Sequence, residues 1–543
     1  MNKKITTIII LIVITCIGGF LRFYKNSENP PGLNGDEISF GYAAYSILTT
    51  GRDENNKFLP LVLQSVGDYK NPIPAYLMTI PIAIFGLNDF SVRFPNAFFG
   101  TLMIPVFFLF LKDLLKKKSV ALLGSFFLAI SAWHVYYSRY AYETIIASLF
   151  VLLGVWFLMK MSSGRTIWGL LSAFFFSLTM YTAFAPRLFV PLFIFVILLS
   201  NVHTLKTNRK KIIIFLLTFI ALGLPLLYIS LFQGAGTRFS MVFLANDIDF
   251  KRYILLESVN NINNAFLLIF FWLKRYLNYL QPDFLFFNGL NMTPTGTFGL
   301  GPLYLFDLPF LIVGIIYFIK HKIPYKSFFV IWFFTGIVPD SLTNNQQYAG
   351  RLLQIIPVVL LVTTLGAVQF FKWLFSLHKY KKILLSVAFA AIVLIILIHA
   401  FLTFAVHFPR AKGESFDEGL REAVIYVHDH QNEYKEIVFD PRRGIEGPFI
   451  VSNPYLSVLF YTKYDPHTYQ TESKAVSSDK TYFLKFNKYT FRNISWVEDV
   501  DKKDTLFIGS PWSLPEKDLK EGELLKKIYL KNGFPAFYIV SPK

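Results

Sequence analysis

Long apolar runs alternate with short cationic hinges through residue 408. The runs fall at 5–21, 93–111, 119–135, 143–159, 166–181, 184–200, 211–231, 301–319, 327–339, 352–371 and 383–405. A helix rises about 1.5 Å per residue, so roughly 17–25 apolar residues cross a bilayer. The pattern therefore predicts eleven membrane-spanning helices. The run at 72–90 is broken by Pro72, Pro74 and Pro81 and bounded by Gly86 and Asp89; it is expected as an interfacial helix on the outer surface. Counting it as a span would invert every later hinge. In the long segment 232–300, the apolar stretch 265–280 is interrupted by Lys274 and Arg275, which suits a surface or re-entrant helix.

After Phe408-Pro409-Arg410 the chain turns polar. Helical periodicity covers 416–430, and strands are expected at 436–440, 482–486 and 505–508. Segments 524–530 and 535–540 flank a Lys-Asn-Gly turn and form a hairpin. The stretch FRNISW, 491–496, has mixed character and is left unassigned. The fold class is thus an all-α polytopic membrane protein over 1–408, followed by a small α/β domain over 409–543.

Composition agrees. Of 543 residues, 54% are hydrophobic, 18% aromatic and only 16% charged, far from a soluble protein of this size. The net charge of +18 is spread over hinges at 3–4, 112–118, 160–165, 206–211, 320–326 and 372–382 and forms no basic domain, so it points to membrane orientation and away from nucleic acid. Those hinges hold nineteen lysines and arginines opposed by Asp113 alone. The positive-inside rule then puts the N-terminus in the cytoplasm and, after eleven crossings, the C-terminal domain outside a multi-pass cell (plasma) membrane protein. The first run lacks a small-x-small cleavage site and is expected to be retained as a span. The one cysteine, Cys16, lies inside it, which rules out a disulfide framework.

This parity gathers charges on the outer rim: Asp36, Glu37, Asp53, Glu54, Asp68 and Lys70 in the first loop, Arg139 and Glu143 in SRYAYET, Arg187 in YTAFAPR and Arg351 in QQYAGR. Carboxylates and cations beside aromatic helices suit a general base acting on a hydroxyl while cations hold a departing phosphate. The donor would be a lipid-linked sugar with its anionic head at the interface. Asp36 is assigned as base and Glu143 as acceptor positioner or metal ligand; Lys70, Arg139, Arg351 and Arg187 are candidate phosphate contacts. Each has a structural alternative. Asp36 or Glu37 can cap a helix, Arg139 and Glu143 can be an i,i+4 pair, Lys70 can snorkel, and Arg351 and Arg187 can anchor span starts. His134, beside Trp133 and two tyrosines, fits an interface belt. No cofactor is fixed by these residues. A divalent ion (Mg²⁺, Mn²⁺ or Zn²⁺) is left open, and the absence of HExxH argues against a zinc protease.

The segments GDEISFGYAAYSILTTGRDE, GDYKNPIPAYL, FGLNDFSVRFPNAFFGTL, HVYYSRYAYET and YAGRLLQIIP, in this order, resemble the bacterial GT-C glycosyltransferases related to protein O-mannosyltransferases and lipid A aminoarabinose transferases. The resemblance covers about 5–405. It implies that Asp36 is the catalytic base with Glu37 completing an acid pair, and that Lys70 and Glu143, the latter preceded by Arg139, are the charged residues of the next two motifs. It further implies an inverting transfer from a polyprenyl-phosphate monosaccharide to a lipid, protein or polysaccharide hydroxyl at the non-cytoplasmic face. The second-loop position, often Asp in that family, is Glu143 here, and the first-loop segment reads KNP in place of KPP. Two other functions share the composition: a flippase for lipid-linked saccharides, which would carry ionisable groups deep within broken spans, and an oligosaccharyltransferase or polysaccharide ligase using pyrophosphate donors.

Overall fold

Each of the eleven apolar runs forms helix over most of its length, because within apolar surroundings a backbone must satisfy its own hydrogen bonds. The structure, a computed structural model, describes residues 3–65, 68–200, 209–232, 242–257, 264–290, 299–344, 347–472, 475–476 and 483–543. The lengths of the helices differ from expectation. Among the described residues, six are long and apolar enough to cross a membrane: Lys3–Phe23, Asp89–Leu115, Thr144–Met161, Arg209–Phe232, Ala349–Ser376 and Lys379–Ala411. A seventh is the pair Lys118–Ile130 and Ala132–Ser138, bent by 54° at Ser131, whose side chain caps the second half by accepting from the His134 N–H. The remaining runs form Ile167–Thr182, Ala185–Ser200, Asp307–Lys320 and Lys326–Ser341, of 14 or 16 residues. Such helices reach about 21–24 Å, short of a hydrocarbon core of about 30 Å. Among the described residues six helices, or seven with the bent pair, are therefore long and apolar enough to cross a membrane, and the other four expected spans are present as shorter helices.

The proline-broken run folds as Pro72–Phe85, started by Pro72 in the first turn and stopped at Gly86, which has φ 77°. The apolar stretch with internal cations folds as Asn264–Asn278. Its polar face is bonded: Trp272 donates to Ser341, Arg275 pairs with Asp247, and the Tyr276 hydroxyl donates to the Phe334 carbonyl.

The chain packs as two compact units. One comprises Met1–Tyr24 and Asn96–Thr403; the other joins Lys25–Pro95 to Phe404–Lys543. The loop after the first helix thus belongs with the C-terminal domain. Gly32 has no room for a side chain, since a Cβ there would overlap the Phe416 carbonyl. Tyr42 donates to the Tyr464 carbonyl at 3.0 Å, and the Gln470 amide bonds to Ser46, Thr50 and the Asp53 carbonyl.

The C-terminal sheet has seven strands in the order β10-β11-β9-β3-β8-β7-β6. These are Leu524–Tyr529, Pro535–Val540, Thr505–Gly509, Glu436–Phe439, Tyr489–Arg492, Phe483–Phe486 and Ala475–Val476. β3 is parallel to both β8 and β9, and the other pairings are antiparallel. Ile437, Val438 and Phe439 are buried, as a central strand covered on both faces requires. The unassigned FRNISW contains the end of β8 and the start of the short helix Trp496–Asp499. Residue 482 lies outside the described residues.

Candidate active site

In the second unit the site is built from one helix start and one hairpin. Asn34 caps Gly35–Thr50: its side chain accepts from the N–H groups of Asp36 and Glu37, and Glu37 accepts in return from the Asn34 N–H. This capping box points the two acids in opposite directions. Glu37 is fully buried and grips Arg93 through both oxygens, Nε to Oε1 at 2.8 Å and a terminal nitrogen to Oε2 at 2.9 Å. The remaining Arg93 donors close on the carbonyls of Asn26, Pro30 and Gly32. Glu37 and Arg93 together fasten the Pro-Pro-Gly entry to the helix that follows. The pair was not foreseen from the sequence; its signal is an arginine near the start of an apolar run, in FSVRFPN.

Asp36 faces the other way, with its side chain 67% exposed and Oδ1 at 2.8 Å from Lys70 Nζ. Lys70 is nearly buried, lies 5.4 Å from the centre of the Phe40 ring, and ends β2 (Asp68–Lys70) in a hairpin with β1 (Leu63–Ser65). The arrangement leaves a water-facing carboxylate steadied by a cation and by the helix N-terminus. Asp53 accepts from the N–H groups of Asn55 and Lys57 and so organises its own loop. Glu54 is buried.

In the helical unit, Arg139 spends its two terminal nitrogens on the carbonyls of Leu21 and Tyr24, both at 2.8 Å. Glu143 is half-buried and stands at the start of Thr144–Ser163. The turn between them, 139–143, is not helical, so these two residues have lost the i,i+4 geometry. Asn96 holds that turn by donating to the carbonyls of Tyr140 and Tyr142. Arg187 donates to the Met180 carbonyl and lies 4.4 Å from the centre of the Phe184 ring.

Arg351 sits in a 3-10 turn, Ala349–Ile355. One terminal nitrogen donates to Asp340 at 3.0 Å and to Thr343 at 3.2 Å. Asp340 is fully buried and also accepts from the Tyr279 hydroxyl and the Tyr348 N–H. The guanidinium is partly exposed and lies 5.5 Å from the centre of the Tyr348 ring. Tyr137, Tyr140, Tyr142 and Tyr348 cluster in tilted and edge-on contacts with ring centres 5.3–5.9 Å apart. Position 350 must be glycine here, because a Cβ would approach Tyr137, Tyr142 and Tyr348 to 2.8–3.0 Å. Asp340 was likewise missed in the sequence, where it closes an apolar run as GIVPDS.

His134 is buried and accepts at Nδ1 from Arg22, 2.9 Å away, which puts its proton on Nε2 facing Met103 Sδ. A ring held this way is a structural partner for Arg22. Among the described residues, no three His, Cys, Asp or Glu side chains converge as a metal-ligand set.

The sequence family described as dolichyl-phosphate-mannose-protein mannosyltransferase matches residues 12–233. YkcB of Bacillus subtilis (strain 168) is 27% identical over 221 residues, 39% of this chain and 29% of its own; the chain therefore spans less than a third of that curated relative. The fold is similar to ArnT from Cupriavidus metallidurans, with a TM-score of 0.56 to the apo structure at 10% identity and 0.55 to the structure bound to undecaprenyl phosphate at 11% identity; each comparison covers 99% of both chains. The chain thus shares its fold with ArnT.

Proposed function

We propose that this chain is a glycosyltransferase that moves a monosaccharide from a polyprenyl-phosphate carrier to a hydroxyl acceptor, with inversion, at the outer membrane–water interface. The Asp36–Lys70 pair carries this proposal: an exposed carboxylate fixed by a nearly buried ammonium at a helix N-terminus. The match to the mannosyltransferase family and the ArnT fold support it. Asp36 takes the acceptor proton as the hydroxyl oxygen attacks the anomeric carbon. The bond from that carbon to the phosphate oxygen breaks, and the carrier leaves as a phosphate monoester.

Arg351 offers its outer guanidinium edge to the leaving phosphate, where a planar fork fits two oxygens. Glu143 is assigned to acceptor positioning. Lys70 and Arg187 add positive charge for the donor. Glu37, gripped by Arg93, and Arg139, whose terminal nitrogens donate to the Leu21 and Tyr24 carbonyls, act as positioning residues. All eleven apolar helices cross the membrane in this scheme, the short ones by local bilayer thinning. The N-terminus is cytoplasmic and 409–543 is extracytoplasmic.

The test is Asp36→Asn in purified protein with a polyprenyl-phosphate sugar. Transfer is expected to vanish while the donor still binds; intact turnover would remove Asp36 as the base.

A further inference from the structure

A second charged cavity lies in the helical unit, at the opposite end of Thr144–Ser163 from Glu143. Lys160 is seventeen residues along from that acid, or roughly 25 Å at helical rise. The cavity has a volume of about 270 Å³, with Phe110 and Leu114 on its apolar side and Asp113, Lys116, Lys160 and Tyr325 on its polar side.

Its charges are arranged around one carboxylate. Asp113 Oδ1 accepts from Lys116 Nζ at 3.1 Å; Oδ2 accepts from the Trp156 indole at 3.0 Å and faces Lys160 Nζ at 3.4 Å. The Lys160 ammonium also sits 4.4 Å and 4.9 Å from the ring centres of Trp156 and Trp168. Each ammonium has three donors, and one carboxylate cannot balance two of them. What remains is surplus positive charge with unspent N–H groups, next to an apolar wall. A cationic ligand would find both Asp113 oxygens taken and two ammoniums opposing it. Lys116 and Tyr325 both hold φ 56°, a left-handed conformation costly for side-chain-bearing residues, and both line this cavity.

We infer that the cavity binds the phosphate of an anionic phospholipid headgroup, gripped by Lys116 and Lys160, with Asp113 setting their spacing. The shared chemistry is a phosphate ester. The apolar wall of Phe110 and Leu114 favours the lipid over free phosphate, since basic recesses between membrane helices suit such headgroups.

The experiment is native mass spectrometry of the full-length chain in detergent with phosphatidylglycerol, phosphatidylcholine or inorganic phosphate added. Wild-type protein is expected to retain phosphatidylglycerol in preference to phosphatidylcholine. K116Q/K160Q should lose that retention by about tenfold or more, and the single K116Q, at a mostly exposed position, should lose a smaller part with unfolding temperature unchanged. Equal retention by wild type and both variants, or equal retention of the two lipids, would overturn the inference. Displacement of phosphatidylglycerol by an equal concentration of inorganic phosphate would overturn the lipid assignment.

Discussion

Glu37 and Arg93, distant in sequence, meet in a two-pronged ion pair with neither side chain exposed to solvent. Removing one partner strands a buried charge. Glu37→Gln is therefore expected to cost about 3–5 kcal/mol, read as a lower unfolding temperature of the full chain in detergent. Adding Arg93→Met to the same chain should recover part of the loss, as coupled neighbours do. A double variant no more stable than the single would refute the pairing.

Asp36 should behave differently from its neighbour. Its carboxylate is largely exposed, and an asparagine there still offers a side-chain oxygen to the nearly buried Lys70 ammonium, so that charge keeps an acceptor. Asp36→Asn is expected to leave the unfolding temperature nearly unchanged and to lower kcat by about 10²-fold or more. A large stability loss with modest kinetic loss would make Asp36 a cap and nothing else.

Arg351→Lys separates charge from geometry. Lysine can still reach Asp340, yet it lacks the planar second edge. Steady-state kinetics should show the donor KM rising about tenfold and kcat falling as well, because charge on the leaving phosphate develops in the transition state. An unchanged KM would take Arg351 out of the donor site.

Asp499 is a buried carboxyl of the C-terminal domain whose ion pairs tie stability to pH. Burial alone would raise its pKa, but hydrogen bonds from Arg492 and Lys502 hold it below the usual 3.8. The folded carboxyl thus releases its proton more readily than the unfolded one. Its stabilisation is present at neutral pH and is lost as pH falls below about 4 through the folded pKa. Asp499→Asn should lower stability at neutral pH by about 1.5–3 kcal/mol and flatten that acid limb in pH-dependent thermal melts. An acid limb as steep as that of wild type would show that another group controls it.

Several elements were legible because their causes are local. The Lys-Asn-Gly hairpin formed as expected, and so did the strand at Thr505–Gly509. Gly86 ends the proline-started helix where the sequence placed a boundary. FRNISW resisted assignment because it changes state within six residues. Phe491 packs against Phe439, Arg492 turns out to Asp499, and Trp496 opens a helix, so no single period describes it.

Hydrophobic pattern alone determined where helices form, because apolar segments leave water whatever their neighbours. Short-range chemistry determined the charge of the hinges and the acidic start of the helix after the first loop, although the cap is Asn34 and not Asp36 or Glu37. Only the tertiary structure decided that Glu37 is spent on Arg93 while Asp36 faces solvent, that Arg351 is steadied by Asp340, and that 25–95 packs with 404–543. The physical reason is that a buried charge requires a partner, and which distant residue supplies it depends on packing that no local period encodes.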